Sequence, residues 1–167
     1  LDTMVQNGYQ CALMVPTEIL ATQHYATLQK FFAGTNTRLC LLTGACTAKE
    51  KRQIKADLLE GNIHIAVGTH ALIQNDVEFA NLGLVITDEQ HRFGVKQRAD
   101  LAMKGEEVHT LVMSATPIPR TLAMMIYGDL DISVLDELPP GRQEIRTDVV
   151  TSAYHARICL LYTSPSP

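Results

Sequence analysis

A parallel α/β sheet with helices on both faces is the architecture this sequence predicts, and three observations carry the prediction. Short apolar runs recur along the chain, among them Cys11-Ala12-Leu13-Met14-Val15 and Leu84-Val85-Ile86-Thr87. They are near-continuous rather than alternating, as strands covered on both faces require. Stretches with apolar residues at helical spacing separate these runs. Polar clusters follow the strands, and open α/β sheets gather their sites at that edge.

The elements follow in chain order. Cys11 to Val15 reads as the first strand. Thr17 suits the N-cap of a helix whose inward stripe runs Ala21, Tyr25, Leu28 and Phe32. Arg38 to Thr43 is the second strand. Thr47-Ala48-Lys49-Glu50 has capping-box spacing, Ile54 and Leu58 share one face of the helix it opens, and Gly61 supplies the stop. Ile63 to Val67 is the third strand and Leu84 to Thr87 the fourth. Val95, Ala99 and Met103 mark a helix that Gly105 can end. Thr110 to Ser114 is the fifth strand, and a further helix runs from about Pro119 to Gly128. Crossovers between parallel strands are right-handed.

The 167 residues suffice for one domain with a core of its own. Hydrophobic residues make up 46% and charged residues 19%, values that exclude a disordered segment and a disulfide-dense miniprotein. No apolar run reaches the roughly 18 residues of a membrane span. Leu1-Asp2-Thr3-Met4 has neither the basic nor the apolar region of a secretory signal. The chain also opens without an initiator Met, which points to a segment of a longer protein. The four cysteines, Cys11, Cys40, Cys46 and Cys159, form no C-x-x-C pair. Cys11 and Cys40 lie inside apolar runs as core residues, and a reducing, cytoplasmic compartment fits. The net charge of −4 argues against a bulk basic field for nucleic acid. Contacts through backbone amides and helix N-termini remain open, because they need no formal charge.

The sharpest polar cluster is Asp88-Glu89-Gln90-His91, placed where an apolar strand ends. Asp88 at the strand tip can hold Mg²⁺, and Glu89 can orient and deprotonate a water attacking a γ-phosphate. A carboxylate pair that merely caps the next helix is the plainer reading of the same residues. A metal hydrolase with Asp88, His91, His64 and His70 as ligands is another, weakened because His64 falls mid-strand and points away from its neighbours.

Taken in order, the clusters resemble the motifs of superfamily 2 helicases. Pro16-Thr17-Glu18-Ile19-Leu20-Ala21 is similar to motif Ia and Gly68-Thr69-His70-Ala71-Leu72 to motif Ib. Asp88 to His91 is similar to the DExH box, and Ser114-Ala115-Thr116-Pro117-Ile118-Pro119-Arg120-Thr121 to motif III. Within that superfamily the phrases Asp88 to Val95, Thr116 to Ala123 and Asp136 to Arg142 resemble the RecG-type ATP-dependent DNA helicases, over residues 1–150. The transcription-repair coupling factors share much of the pattern, less well over Asp88 to His91 and Leu138 to Arg142.

The resemblance implies ATP and Mg²⁺ as cofactors and DNA, bound along its backbone, as partner. Asp88 would bind the metal and Glu89 activate water. Gln90 and His91 would connect that site to Ser114 and Thr116, whose hydroxyls could switch partners between nucleotide states or only cap the following helix, with Arg120 in the same coupling set and adding charge. Pro16, Thr17, Glu18, Thr43, Gly44, Gly68, Thr69 and His70 would face nucleic acid, with Arg92, Lys96 and Arg98 adding charge. The implied function is remodelling of branched DNA, such as stalled forks and Holliday-type junctions, in recombination and repair. A non-catalytic nucleic-acid-binding module is the reading from another class, and the retained carboxylates Asp88 and Glu89 speak against it. The chain has no Gly-Lys dipeptide, so it lacks the G-x-x-x-x-G-K-[ST] phosphate loop. The resemblance places that loop before motif Ia, making residues 1–9 the end of its helix. Residues 1–140 are expected to form the first motor lobe, 141–152 a linker or the start of a second lobe, and 153–167 a non-native or unstructured tail. The remaining helicase domains would be partners supplied by the parent chain.

Overall fold

The computed structural model describes residues 1–88, 100–105, 107–114, 131, 133–135 and 137. Gln10 to Met14 forms β1, a strand buried at every residue. Leu39–Leu42 forms β2, Ile65–Gly68 β3, Leu82–Thr87 β4 and His109–Val112 β5. Among the described residues these make one five-stranded sheet in the order β2-β3-β1-β4-β5, with every pairing parallel. The doubly covered parallel sheet predicted from the apolar runs is therefore present.

Alternation along β1 sends successive side chains to opposite faces. Cys11, Leu13 and Val15 join Ile65, Val67 and Ile86 on one face. That face is covered by α1 (Asp2–Gln6) and α2 (Glu18–Phe31), through Met4, Val5, Ala21, Tyr25, Leu28 and Phe32. Ala12 and Met14 join Cys40, Leu42, Ala66 and Val85 on the other face. There α3 (Ala48–Leu59) supplies Ile54 and Leu58, and the segment after β3 supplies Leu72, Val77 and Phe79. Each helix presents one apolar stripe to the sheet and leaves its outer face to water.

The helix boundaries follow the local signals. The Thr17 hydroxyl accepts the Leu20 amide at the start of α2. Thr47 and Glu50 complete a reciprocal capping box on α3, and those hydrogen bonds hold the Glu50 carboxyl below its usual range. Gly61 ends α3 at φ +76°, the left-handed region that favours glycine.

Strand boundaries differ from the sequence reading at every strand: β2 is shorter by one residue at each end, β4 begins two residues earlier at Leu82, and β5 runs from His109 to Val112. The first strand begins at Gln10, whose buried amide is fully engaged: Nε2 donates to Leu58 O and Ile63 O, and Oε1 accepts from Asn81 N–H. The third strand begins at Ile65 rather than Ile63, because the Asn62 and Ile63 amides turn back to Asp57 O and wrap the end of α3. His64 thus stands before β3 and not within it, correcting its mid-strand placement. An unforeseen 3₁₀ turn, His70–Ile73, follows β3 and buries Ala71 and Leu72.

The chain divides into two compact units, residues 1–118 and 119–167, and the sheet lies in the first. The helix expected around Val95 to Met103 is described only from Asp100, and residues 100–102 are helical. The helix expected from Pro119 to Gly128, the linker or second-lobe start expected over 141–152 and the tail expected over 153–167 lie outside the described residues. Among the described residues no helix is long and apolar enough to cross a membrane.

Gly68 ends β3 where the backbone leaves no room for a side chain: a Cβ there would lie 2.2 Å from Leu42 O. Gly68→Ala is expected to destabilise the lobe by roughly 3 kcal/mol, read as a lowered denaturant midpoint at unchanged slope. Burial pushes the Cys11 thiol up to about 11 and the Cys40 thiol to about 12, from an ordinary value of 9.0. Both groups hold their protons more tightly folded than unfolded. Stability is expected to be insensitive to these thiols below pH 9.0 and to fall as pH rises from there towards 11 and 12. Unfolding free energies of the wild type and of a Cys11→Ala, Cys40→Ala double variant, measured across that range, check this.

Candidate functional site

Parallel pairing brings every strand's carboxyl end to one edge, and the register aligns those ends closely. Met14 stands opposite Gly68 on one side and Thr87 on the other, Leu42 opposite Gly68, and Thr87 opposite Val112. The ladder continues one residue beyond the strands. Val15 N–H donates to Gly68 O, Asp88 N–H to Met14 O, Thr69 N–H to Leu42 O and Met113 N–H to Thr87 O. The loops carrying Pro16-Thr17-Glu18, Thr43-Gly44, Gly68-Thr69-His70, Asp88 and Ser114 therefore issue side by side.

Asp88 is the acidic centre of this edge among the described residues. Its Oδ2 lies 3.0 Å from Nε2 of His24, two turns into α2. A carboxylate only accepts, so His24 Nε2–H is the donor. Both side chains are partly buried, at 33% and 21% exposure, and their contact is shielded more than a surface pair. Beneath Asp88, Thr87 is fully buried, and its hydroxyl has no partner among the described residues. The same holds for the Thr69 hydroxyl. An unpaired buried hydroxyl costs about 1–3 kcal/mol, and these two sit at the ends of β3 and β4, the strands that flank β1.

A second tie crosses the edge between α2 and the loop after β2. Glu18 Oε1 accepts the Ala45 amide at 2.9 Å, and a Cβ on Gly44 would lie 2.9 Å from that same oxygen. Lys51 Nζ donates to Gly44 O at 2.8 Å from the first turn of α3. Within the loop the Cys46 thiol donates to Leu41 O and its sulfur accepts the Thr43 amide. The loop is thus clamped from both flanks.

The candidate residues fall into distinct places. Glu18, Gly44 and His70 are exposed, Pro16 and Thr17 half-buried, and Thr43 and Thr69 buried. Of the three threonine hydroxyls expected to face outward, only that of Thr17 lies near the surface, and it caps α2. Ser114 is exposed just beyond β5. Glu89, Gln90, His91, Thr116 and Arg120 lie outside the described residues, as do Arg92, Lys96 and Arg98. The four-ligand metal reading gains no support. No group of three His, Cys, Asp or Glu residues is placed to hold a metal among the described residues, and His64 Nδ1 already accepts the Arg38 amide.

His24, Lys51 and the Ala45 amide belong to this edge and escaped the sequence reading. For His24 the signal was present: it lies at i+3 from Ala21 and i−4 from Leu28, on the shoulder of the inward stripe. An ionisable residue there must find a polar partner at the sheet. Asp88 suits Mg²⁺, which is held by one or two carboxylates together with substrate phosphates rather than by an all-protein cage.

A family model for the DEAD/DEAH box helicases matches residues 1–125. The ATP-dependent DNA helicase RecG of Thermotoga maritima is 59% identical over 143 residues, covering 86% of this chain and 18% of the relative. RecG of Aquifex aeolicus is 60% identical over 146 residues, again 86% and 18%. This chain thus spans about a fifth of the length of such relatives. Among solved structures, RecG bound to a three-way DNA junction superposes with a TM-score of 0.77 at 52% identity, covering 92% of this chain and 20% of that one. Mycobacterium smegmatis helicase Lhr bound to ssDNA and AMP-PNP shares the fold at a TM-score of 0.55 and 19% identity, covering 77% and 18%.

Removing the Glu18 clamp is expected to free the loop after β2. In Glu18→Ala the Ala45 amide should exchange with solvent at least about tenfold faster, since hydrogen bonds to charged groups contribute roughly 1.5–3 kcal/mol. Amide exchange resolved at Ala45 checks this, with the Thr69 amide on the neighbouring strand end as the unchanged control.

Proposed function

The chain belongs to the DEAD/DEAH box helicase family, and from that premise we propose that it is the first motor lobe of a RecG-type, ATP-driven translocase that remodels branched DNA. Stalled forks and Holliday-type junctions, met in recombination and repair, are its substrates. The observation that carries this reading is the seating of Asp88 on the tip of β4, joined by its amide to Met14 O and by its carboxylate to α2. The family's DExH residues begin there, beside the loops of motifs Ia and Ib.

In this reading Asp88 would hold Mg²⁺ beside the phosphates of ATP, and the ion, when bound, would supply charge neutralisation for phosphoryl transfer. Glu89 orients the attacking water and takes its proton. Gln90 and His91 relay the state of that site to Ser114, Thr116 and Arg120. The loops at Pro16-Thr17-Glu18, Thr43-Gly44 and Gly68-Thr69-His70 lie along the DNA backbone. With Thr43 and Thr69 buried, those contacts fall to main-chain groups and to the exposed rim. Such contacts position a strand without reading its sequence, and they suit a lobe from a chain of net charge −4. The free thiols of Cys11, Cys40 and Cys46 accord with a reducing, cytoplasmic setting.

Because these residues include no Gly-Lys phosphate loop, the segment alone hydrolyses ATP negligibly and the assay belongs to the full-length protein. There Glu89→Gln is expected to lower DNA-stimulated ATP turnover by about 10²–10⁴-fold while nucleotide affinity changes little. Steady-state turnover and equilibrium binding of a non-hydrolysable ATP analogue check it. Undiminished turnover removes Glu89 from the mechanism. A full-length wild type that binds DNA without any ATP turnover points instead to a non-catalytic binding module.

A further inference from the structure

The contact between His24 and Asp88 joins two parts of the lobe that carry different tasks. His24 sits on α2, seven residues after the cap Thr17 and about 10 Å along the helix from it. The N-terminal turn of that helix is fixed to the loop after β2 through Glu18 and the Ala45 amide. Its middle is fixed to the tip of β4 through His24 and Asp88. Between these ties Ala21 is fully buried and Leu20 packs on the sheet, and Tyr25 and Leu28 continue that stripe beyond His24. The helix is therefore seated as one body, and a displacement of its first turn is carried to the Asp88 carboxylate through the His24 hydrogen bond.

Resting on the motor-lobe reading above, we infer that His24 is a positioning residue that couples nucleic-acid engagement at the start of α2 to the Asp88 carboxylate. Its Nε2–H holds Oδ2 in place. When DNA seats against the loops at Thr17 and Gly44, α2 carries that constraint to the nucleotide side of the edge. By linkage the same bond works in reverse, so that nucleotide bound beside Asp88 alters the affinity of the loops for DNA. The bond acts by geometry and not by charge, which is what the choice of variants tests.

The experiment uses the full-length protein, a fluorescein-labelled forked DNA and a non-hydrolysable ATP analogue with Mg²⁺. Fork affinity is measured by anisotropy with and without the analogue. In the wild type the analogue is expected to change the dissociation constant by at least about fivefold, the lower end of common coupling strengths. In His24→Ala that change is expected to shrink to within about twofold. His24→Gln places a neutral amide nitrogen near the position of Nε2 and is expected to restore it.

A His24→Ala variant as strongly coupled as the wild type overturns the assignment, leaving the motor-lobe reading intact. Equal loss in the alanine and glutamine variants also overturns it, because ring packing and not the bond would then be what His24 supplies. A wild type that binds fork DNA and hydrolyses ATP, yet shows no effect of nucleotide on fork affinity, overturns it as well. A wild type with neither fork binding nor turnover overturns the motor-lobe reading itself. If His24→Ala shows no cooperative melting, the glutamine variant decides alone: coupling retained supports the assignment and coupling lost overturns it.

Discussion

The two-sided pairing of β1 is the constraint on which the rest of the lobe depends. Gln10 to Met14 is buried at every position, with β3 hydrogen-bonded along one edge and β4 along the other. Its side chains seed both cores, Cys11 and Leu13 on one face and Ala12 and Met14 on the other. At its start Gln10 gathers the end of α3, the approach to β3 and the approach to β4 with one amide group. At its end the Met14 carbonyl receives Asp88, and Val15 N–H reaches Gly68. A shift in the register of this strand would move both flanking loops together.

On that frame α2 makes two polar ties to the strand ends while burying little of itself. Ala21 is its one fully buried residue, and Ile19 and Phe31 stand well exposed. Its seat comes from a partly buried stripe and from two polar ties, Glu18 to Ala45 and His24 to Asp88. Elements held this way lie nearer the low-stability end of a fold than its central strands do, and parts that move between states are drawn from that end. The carboxylate of Glu18 faces a backbone amide, so this acidic side chain organises the loop after β2.

Much of the architecture was legible because its signals are local. The apolar runs marked all five strands, Thr17 and the Thr47-Glu50 box marked two helix starts, and Gly61 marked a stop. The differences fall where hydrogen bonding and packing beyond the strand pattern decide. Ile63 has the composition of a strand, yet its amide closes the end of α3. Gln10 looks polar and external, yet three partners from remote segments bury it. Thr43 and Thr69 resemble outward hydroxyls, yet the packing of β2 and β3 draws them inside.

The order of motifs along the chain determined the fold class, the family and the edge at which function gathers, because periodicity, caps and strand-end polar clusters depend on neighbours within a few residues. Only the tertiary structure decided what those groups do to one another. Glu18 and Ala45 lie 27 residues apart and His24 and Asp88 lie 64 apart, and nothing local to either member specifies the other. Those pairs exist because β1, β3 and β4 are parallel and in register, which brings their carboxyl ends and the first turns of α2 to a common edge.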